Sequence, residues 1–171
     1  MRKRQITDKI LYTGHDISFA VISTPQGERP LVYYPEAAAI LAVQNEHLIM
    51  VEQFRYGSDC YSLEIPAGKK DPQEDILSCA QRELREETGY VAKHWELLFC
   101  YYPAISIMTE KLCLFLAKEL SYVGESPDPD EILTTKMVSF QKAQELFMQG
   151  QIIDSKTIIA LQYLALNSWQ L

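Results

Sequence analysis

The spacing of hydrophobic residues changes twice along the chain. Before residue 70 they form short runs, of which residues 38–43 and 48–51 are the clearest. Continuous apolar runs of this length are typical of strands that are buried on both faces of a sheet. From residue 76 the pattern is helical, because Ile76, Ala80 and Leu84 recur every four residues and so share one face of a helix. Strand patterns return after residue 96, and the pattern is helical again after residue 140.

These patterns predict strands, one central helix, further strands and then helices. The predicted strands are 16–23, 31–34, 37–43, 47–54, 63–65, 97–102, 112–120 and 134–140, and the predicted helices are 72–88, 141–148 and 155–167. This order is typical of an α+β fold in which a sheet and helices pack in layers. A chain of 171 residues suits a single domain, 1–171.

Residues at both ends of the central helix resemble helix caps. We interpret Asp71 as the N-cap, Pro72 as the first helical residue and Glu74 as the third, because those residue types are favoured at those positions. Gly89 lies where a left-handed C-terminal cap is expected.

The composition narrows the classes of function. The formal net charge of −7 argues against a nucleic-acid partner, since nucleic-acid binders usually have a basic surface. No apolar run is long enough to cross a bilayer, so we expect a cytoplasmic protein without a membrane partner. If the substrate is an anion, arginines or a metal ion must supply positive charge locally.

The four cysteines give no sign of a metal site. Cys60, Cys79, Cys100 and Cys113 include no C-x-x-C pair, so a zinc site has no support from spacing. We expect buried or half-buried free thiols in a reducing compartment.

The central helix carries the most informative pattern. Glu83, Glu86 and Glu87 stand at positions i, i+3 and i+4, so their carboxylates project from one side of the helix and repel one another. A hard divalent cation with oxygen ligands would offset that repulsion. Arg82 and Arg85 lie on flanking faces and could form ion pairs with the acids. A solvated acidic face is the alternative, but a glycine loop and a terminating glycine at fixed distances argue against it.

The whole segment resembles the Nudix box, G-x5-E-x7-R-E-U-x-E-E-x-G-U, in which U is a bulky apolar residue. The residues at the positions of the box are Gly68, Glu74, Arg82, Glu83, Leu84, Glu86, Glu87 and Gly89, with Tyr90 at the last U. The resemblance implies an α/β/α sandwich with a mixed sheet, in which the box forms a loop-helix-loop. It also implies a hydrolase that cleaves the pyrophosphate of a nucleoside diphosphate linked to another moiety.

The resemblance implies roles for the residues of the box. Glu83 and Glu87 would be the principal ligands of Mg²⁺, with Mn²⁺ as the alternative metal. Glu86 would bind a metal ion or its water, and the carbonyl of Ala67 would complete one coordination shell. Arg82 would orient the carboxylates, and Glu74 would brace the loop.

Three segments outside the box resemble the ADP-ribose pyrophosphatase branch of the family, namely residues 52–56, 64–68 and 151–157. The resemblance implies that Arg55, Glu64 and Glu110 bind the substrate, and that Arg55 holds a phosphate or the terminal ribose. The branch usually has S-P-G before the acid at 110, whereas this chain has Ile105 and Ser106 at the proline and glycine positions. ADP-ribose is therefore the leading substrate, and a nucleotide sugar such as GDP-mannose is the alternative.

Further expectations follow from the branch. Glu131, in an acidic loop, would be the general base, although that loop could simply be solvated. Branch members are commonly homodimers, and the strand region at 1–35, outside the catalytic core at 36–171, fits such an interface. Asp154 and Lys156 are interpreted as structural. A module that binds ADP-ribose without cleaving it is a further alternative, but such modules typically lose carboxylates of the box.

Overall fold

The computed structural model of the chain describes residues 5, 7–124 and 132–167, and these contain ten strands and three helices. The strands are β1 (Lys9–Thr13), β2 (Ser18–Thr24), β3 (Gly27–Tyr33), β4 (Ala37–Gln44), β5 (His47–Arg55), β6 (Cys60–Glu64), β7 (Ala67–Lys69), β8 (Tyr90–Tyr101), β9 (Leu112–Tyr122) and β10 (Leu133–Ser139). The helices are α1 (Ile76–Thr88), α2 (Phe140–Met148) and α3 (Ser155–Leu166).

The strands form two sheets. β1, β2 and β3 make an antiparallel sheet of three strands. The other seven form a mixed sheet in the order β10-β5-β4-β9-β8, with β6 paired to β5 and β7 paired to β4. β4 and β9 pair in parallel, and the other strand pairs of this sheet are antiparallel.

The mixed sheet lies between helices, which confirms the predicted α/β/α sandwich. The side chains of β4 alternate between two cores: Ala39 and Leu41 belong to the core that includes α2 and α3, whereas Ala38 and Ile40 belong to the core that includes α1. All four residues are fully buried. A strand covered on both faces needs apolar residues at every position, which explains the continuous run in the sequence.

Helix α1 begins four residues later than its sequence predicts. The N-cap is Asp75, whose Oδ1 accepts hydrogen bonds from the backbone N–H groups of Leu77 and Ser78, both at 3.0 Å. The prediction of Asp71 as N-cap is therefore wrong, because residues 71–74 form a turn closed by a bond from the Glu74 N–H to the Asp71 carbonyl. At the other end Gly89 has φ 73° and its N–H bonds the Arg85 carbonyl, which confirms the predicted C-cap.

The cysteines differ from the expectation of four free thiols. Cys100 and Cys113 form a disulfide, while Cys60 and Cys79 are free. The bonded pair are register partners on β8 and β9, so their proximity follows from strand pairing and leaves no signal in the spacing. Burial raises the pKa of the Cys79 thiol to about 12, so this thiol stays protonated.

The small sheet is joined to the region that precedes β9. The Thr109 N–H donates to the Val32 carbonyl, and the Thr109 side chain bonds both the N–H and the carbonyl of Tyr34. In addition, Lys69 at the end of β7 pairs with Asp16 at 2.6 Å. These contacts hold the small sheet beside the box loop. Among the described residues, none of the helices has the length and apolar character needed to span a membrane.

Candidate active site

The loop before α1 brings a backbone glycine against a carboxylate of the helix. A Cβ atom added at Gly68 would lie 2.0 Å from Cδ of Glu83 and within 2.2 Å of both its oxygens. Because such a distance is far inside van der Waals contact, only glycine leaves room for this carboxylate. Glu83 is 7% exposed, so the loop and the helix together enclose it.

Arg82 connects the acidic cluster, which consists of Glu74, Glu83, Glu86 and Glu87. Its Nε and Nη2 atoms donate to the two carboxylate oxygens of Glu74, and Nη1 donates to Glu83 at 2.8 Å and to Glu86 at 2.9 Å. Nη2 also donates to the Lys69 carbonyl. Although burial opposes its charge, the surrounding carboxylates raise the pKa of Arg82. Arg82 thus orients the acids, and Glu74 braces the loop.

Glu87 occupies the inner end of the cluster. Its Oε2 accepts a hydrogen bond of 3.0 Å from the Ala67 N–H, and its own carbonyl accepts from the Thr135 hydroxyl on β10. The residue is 3% exposed. β7, α1 and β10 therefore fix the backbone and the carboxylate of Glu87 together.

The chemical type of the donor atoms in the cluster suits a hard divalent cation. Three carboxylates, those of Glu74, Glu83 and Glu86, pair with the Arg82 guanidinium, and Glu87 lies on the same helix. The four carboxylates and the one guanidinium together carry a formal charge of −3. All the available ligand atoms are oxygens, as Mg²⁺ and Mn²⁺ prefer, and the Gly68 cradle holds one of the carboxylates in place.

The cluster is held together by Arg82 rather than by convergence of the carboxylates on one point. Within the described part of the chain, no three acidic, histidine or cysteine side chains are grouped so as to hold an ion. The geometric reason is that Nη1 of Arg82 lies between Glu83 and Glu86 and bonds both. Arg85, which could also have paired with these acids, is exposed and has no ion pair among the described residues.

One side of the cluster is open to solvent. A groove of about 580 Å³ runs along the outer side of α1 between that helix and the start of β8, and Arg82, Glu86 and Trp95 are among the residues that line it. Glu86 has 29% of its side chain exposed. The Glu86 carboxylate is therefore accessible from this groove.

A second charged cluster surrounds the end of β5. Arg55 donates from Nε and Nη2 to the two oxygens of Glu64, at 2.8 and 2.6 Å. Lys156 on α3 donates to Glu64 at 2.5 Å and pairs with Asp154 at 3.1 Å. Burial alone would raise the pKa of Glu64, but Arg55 and Lys156 outweigh it and lower that pKa to about 2. Glu64 is therefore ionised at neutral pH.

The two clusters are neighbours. The hydrogen bonds to Glu64 raise the pKa of Arg55, and the charges of Asp154 and Glu87 add to this effect. Glu110 lies on the same side, since Lys156 and Asp154 both act on its charge, and burial raises its pKa above the usual value. Arg55 therefore lies within electrostatic range of Glu87 of the box, and Glu110 within that of Lys156 and Asp154.

Two further expectations concern Glu131 and the pair Asp154 and Lys156. Glu131 lies outside the residues that the structure describes, so its expected role as general base stays a prediction. Asp154 is the N-cap of α3, which agrees with its structural interpretation, and Lys156 also binds Glu64, which is 92 residues away in the sequence. The only signal of this contact in the sequence is a lysine in the segment 151–157, and a lysine so placed is usually exposed.

Comparisons with known proteins agree with this geometry. Residues 33–160 match the NUDIX domain. The chain is 36% identical to the ADP-ribose pyrophosphatase of Bacillus subtilis (strain 168), over 98% of this chain and 95% of that protein. It is 34% identical to the methanol dehydrogenase activator of Bacillus methanolicus, over 96% and 94% respectively.

A solved structure has the same fold. The crystal structure of an ADP compounds hydrolase superposes with a TM-score of 0.71 and covers 96% of this chain and 97% of that one, at 22% identity. The domain match at residues 33–160 includes the box, its glycine loop and the strand that carries Arg55. The chain therefore belongs to the Nudix family of pyrophosphohydrolases, in the branch that resembles ADP-ribose pyrophosphatase.

Proposed function

We propose that this Nudix hydrolase cleaves the pyrophosphate of ADP-ribose to give AMP and ribose 5-phosphate. The observation that carries the proposal is the Arg55 guanidinium, which Glu64 holds at one edge within electrostatic range of Glu87 of the box. The relative named ADP-ribose pyrophosphatase, 36% identical over nearly the whole chain, supports the same substrate.

The geometry of Arg55 suits an anion. A guanidinium has five N–H donors, and the bonds to Glu64 occupy one on Nε and one on Nη2. Three donors are left, and the side chain is 44% exposed. A planar fork that presents N–H groups toward solvent binds phosphate or vicinal ribose oxygens well. In this proposal Glu110 contributes a second polar contact to the same ligand.

Mg²⁺ is the proposed cofactor, and Mn²⁺ is the alternative. Glu83, Glu86, Glu87 and the Ala67 carbonyl would hold it. A divalent cation bound there supplies Lewis-acid chemistry, since it neutralises phosphate charge and makes water a better nucleophile. Arg82 keeps the carboxylates in place during the reaction. Glu131 is the proposed base that accepts the proton of the attacking water.

A substrate panel with product identification tests the proposal. The purified protein is incubated with ADP-ribose, GDP-mannose and other nucleoside diphosphate compounds in Mg²⁺, and the products are separated by chromatography. We expect AMP and ribose 5-phosphate from ADP-ribose, with the highest kcat/KM in the panel. Tight binding of ADP-ribose without any cleavage over long incubation would support a sensor module and refute the proposal.

GDP-mannose is the second candidate substrate. Ile105 and Ser106 replace the proline and glycine that the ADP-ribose branch usually has before the acid at 110. A GDP-mannose pyrophosphatase of Cronobacter sakazakii is 32% identical over 76% of this chain. A kcat/KM for GDP-mannose above that for ADP-ribose would reverse the order of the two candidates.

We also propose a homodimer in which the small sheet forms part of the interface. Leu11, Tyr12 and Phe19 on β1 and β2 are 62%, 59% and 46% exposed, and exposed apolar clusters often mark interaction sites. Light scattering on a sizing column is expected to give twice the chain mass of 19.6 kDa. A monomer at all concentrations would exclude the dimer and leave the hydrolase proposal standing.

A further inference from the structure

Lys156 is a lysine in an unusual position. It lies in the first turn of α3 and is 7% exposed, although lysines are almost never buried unless they are paired. Its Nζ lies 2.5 Å from Oε2 of Glu64 and 3.1 Å from Oδ1 of Asp154. The ammonium group is thus enclosed between one carboxylate of the sheet and one of its own helix.

These ion pairs form a chain that ends at Arg55. Glu64 is 1% exposed and uses both oxygens on Arg55, while Oε2 also accepts from Lys156. One carboxylate therefore joins a buried cation to a half-exposed one. Without the Lys156 charge, the carboxylate of Glu64 would keep only its bonds to Arg55 among the described residues, so its orientation would be less firmly fixed.

The helix that carries Lys156 is itself anchored at the same place. The Thr157 hydroxyl accepts the N–H of Ile65, the residue after Glu64, at 2.9 Å. Asp154 caps α3 by accepting from both the N–H and the hydroxyl of Thr157. The backbone next to Glu64 is therefore joined directly to the first turn of α3, which carries Lys156.

We infer that Lys156 is a positioning residue for the substrate, which acts through Glu64 to hold Arg55 in its anion-binding orientation. The inference rests on the proposed role of Arg55. Arg55 is attached at the end of a strand and is 44% exposed, so without a fixed partner its long side chain would populate several rotamers. Loss of a fixed charged hydrogen bond to the substrate should weaken substrate binding about ten- to a hundredfold.

The test is a double-mutant cycle between Lys156 and Arg55 on the hydrolysis of ADP-ribose. Lys156→Met is expected to raise KM about tenfold or more and to change kcat less than about threefold, because Arg55 binds the ground state and the transition state alike. In an Arg55→Ala background the same substitution should change KM less than about twofold, since the group it positions is absent. Lys142→Met, at an exposed lysine of α2 paired with Glu145, is the matched control and should leave KM unchanged.

A purely structural lysine would give a different result. Lys156→Met would then lower the melting temperature while KM stayed unchanged, or would raise KM by the same factor in both backgrounds, and either outcome overturns the inference. Lys156→Arg keeps the charge and is expected to recover most of the wild-type KM. If Lys156→Met does not fold, the double-mutant cycle is repeated with Lys156→Gln, which keeps a polar donor at this position. The same results then support or overturn the inference.

Failure of the proposed function can be told apart from failure of this inference. If the wild-type protein cleaves no compound of the panel, the proposed function fails. The double-mutant cycle is then built from the dissociation constants of ADP-ribose for the wild type and the variants, measured by calorimetry. If the wild-type protein cleaves ADP-ribose but the two substitutions act independently, only the role of Lys156 is wrong.

Discussion

Gly68→Ala is the most specific perturbation that the structure offers. The new Cβ would lie 2.0 Å from Cδ of Glu83, and ordinary van der Waals contact begins near 3.4 Å, so the carboxylate must move by about 1.4 Å. The atoms that must move are the end of a side chain, so the fold can persist while the carboxylate loses its position. The substitution thus tests the placement of Glu83 separately from the stability of the protein.

The expected loss follows from that displacement. Misplacement of a reacting or ligand group by about 1 Å can reduce the rate about 10²-fold, so kcat/KM for ADP-ribose should fall about a hundredfold, equivalent to about 2.7 kcal/mol of transition-state stabilisation. The bond between Glu83 and Arg82 at 2.8 Å should also be lost. Stability should change little, since replacing glycine by alanine at an ordinary φ removes about 0.4–1 kcal/mol of unfolded-state freedom.

The assay compares two glycine variants. Gly57→Ala is the control, because a Cβ at Gly57 would have no neighbour within 4 Å. Initial rates of ADP-ribose hydrolysis are measured over a range of Mg²⁺ concentrations, with melting temperatures for both variants. We expect Gly68→Ala to need more Mg²⁺ and Gly57→Ala to match the wild type. Activity of Gly68→Ala within threefold of the wild type would refute the reasoning.

The other predictions concern single groups. Glu87→Gln should lower kcat about 10²-fold or more, since loss of a partner outside the metal shell already costs about 10–100-fold, while circular dichroism stays unchanged; equal activity would contradict the metal role. The pKa of Glu64 is about 2 in the folded protein, against an ordinary value of 4.5. The ionised Glu64 therefore stabilises the fold above pH 4.5, and this contribution is lost as the pH falls toward 2. In urea unfolding, the free energy of unfolding of Glu64→Gln should therefore fall by about 2 kcal/mol less than that of the wild type when the pH is lowered. This figure is smaller than the full pKa difference implies, because the partner Arg55 is partly exposed to solvent. Iodoacetamide at pH 8 without reductant should label Cys60 before Cys79, because Cys79 is buried with a pKa of about 12; equal labelling rates would count against this environment.

The box could be predicted because its chemistry is local. Glu83, Glu86 and Glu87 lie on one helix, so their relative positions follow from helix geometry alone. The buried strands could be predicted for a similar reason, since a strand covered on both faces shows one continuous apolar run. The sequence predicts β8 only from residue 97, because the first half of this strand carries the exposed residues Lys93, His94 and Glu96 at the edge of the sheet.

Features that depend on tertiary contacts were missed. Lys156 and Glu64 are far apart in sequence, and only the packing of α3 against the end of β6 brings them together. The disulfide between Cys100 and Cys113 depends in the same way on the register of two strands. The sequence does not locate the start of α1, because Asp71 and Asp75 are both suitable N-caps. The choice between them depends on the turn that brings Glu74 to Arg82.

The central claim is that the carboxylates of the box hold a divalent cation. The most direct measurement is a titration of the protein with Mn²⁺, followed by electron paramagnetic resonance without substrate, for the wild type, Glu83→Gln and an exposed control, Glu145→Gln. The account predicts at least one bound ion in the wild type and the control, and binding weakened about tenfold or more in Glu83→Gln. Equal Mn²⁺ binding by all three proteins, or none by the wild type, would contradict it.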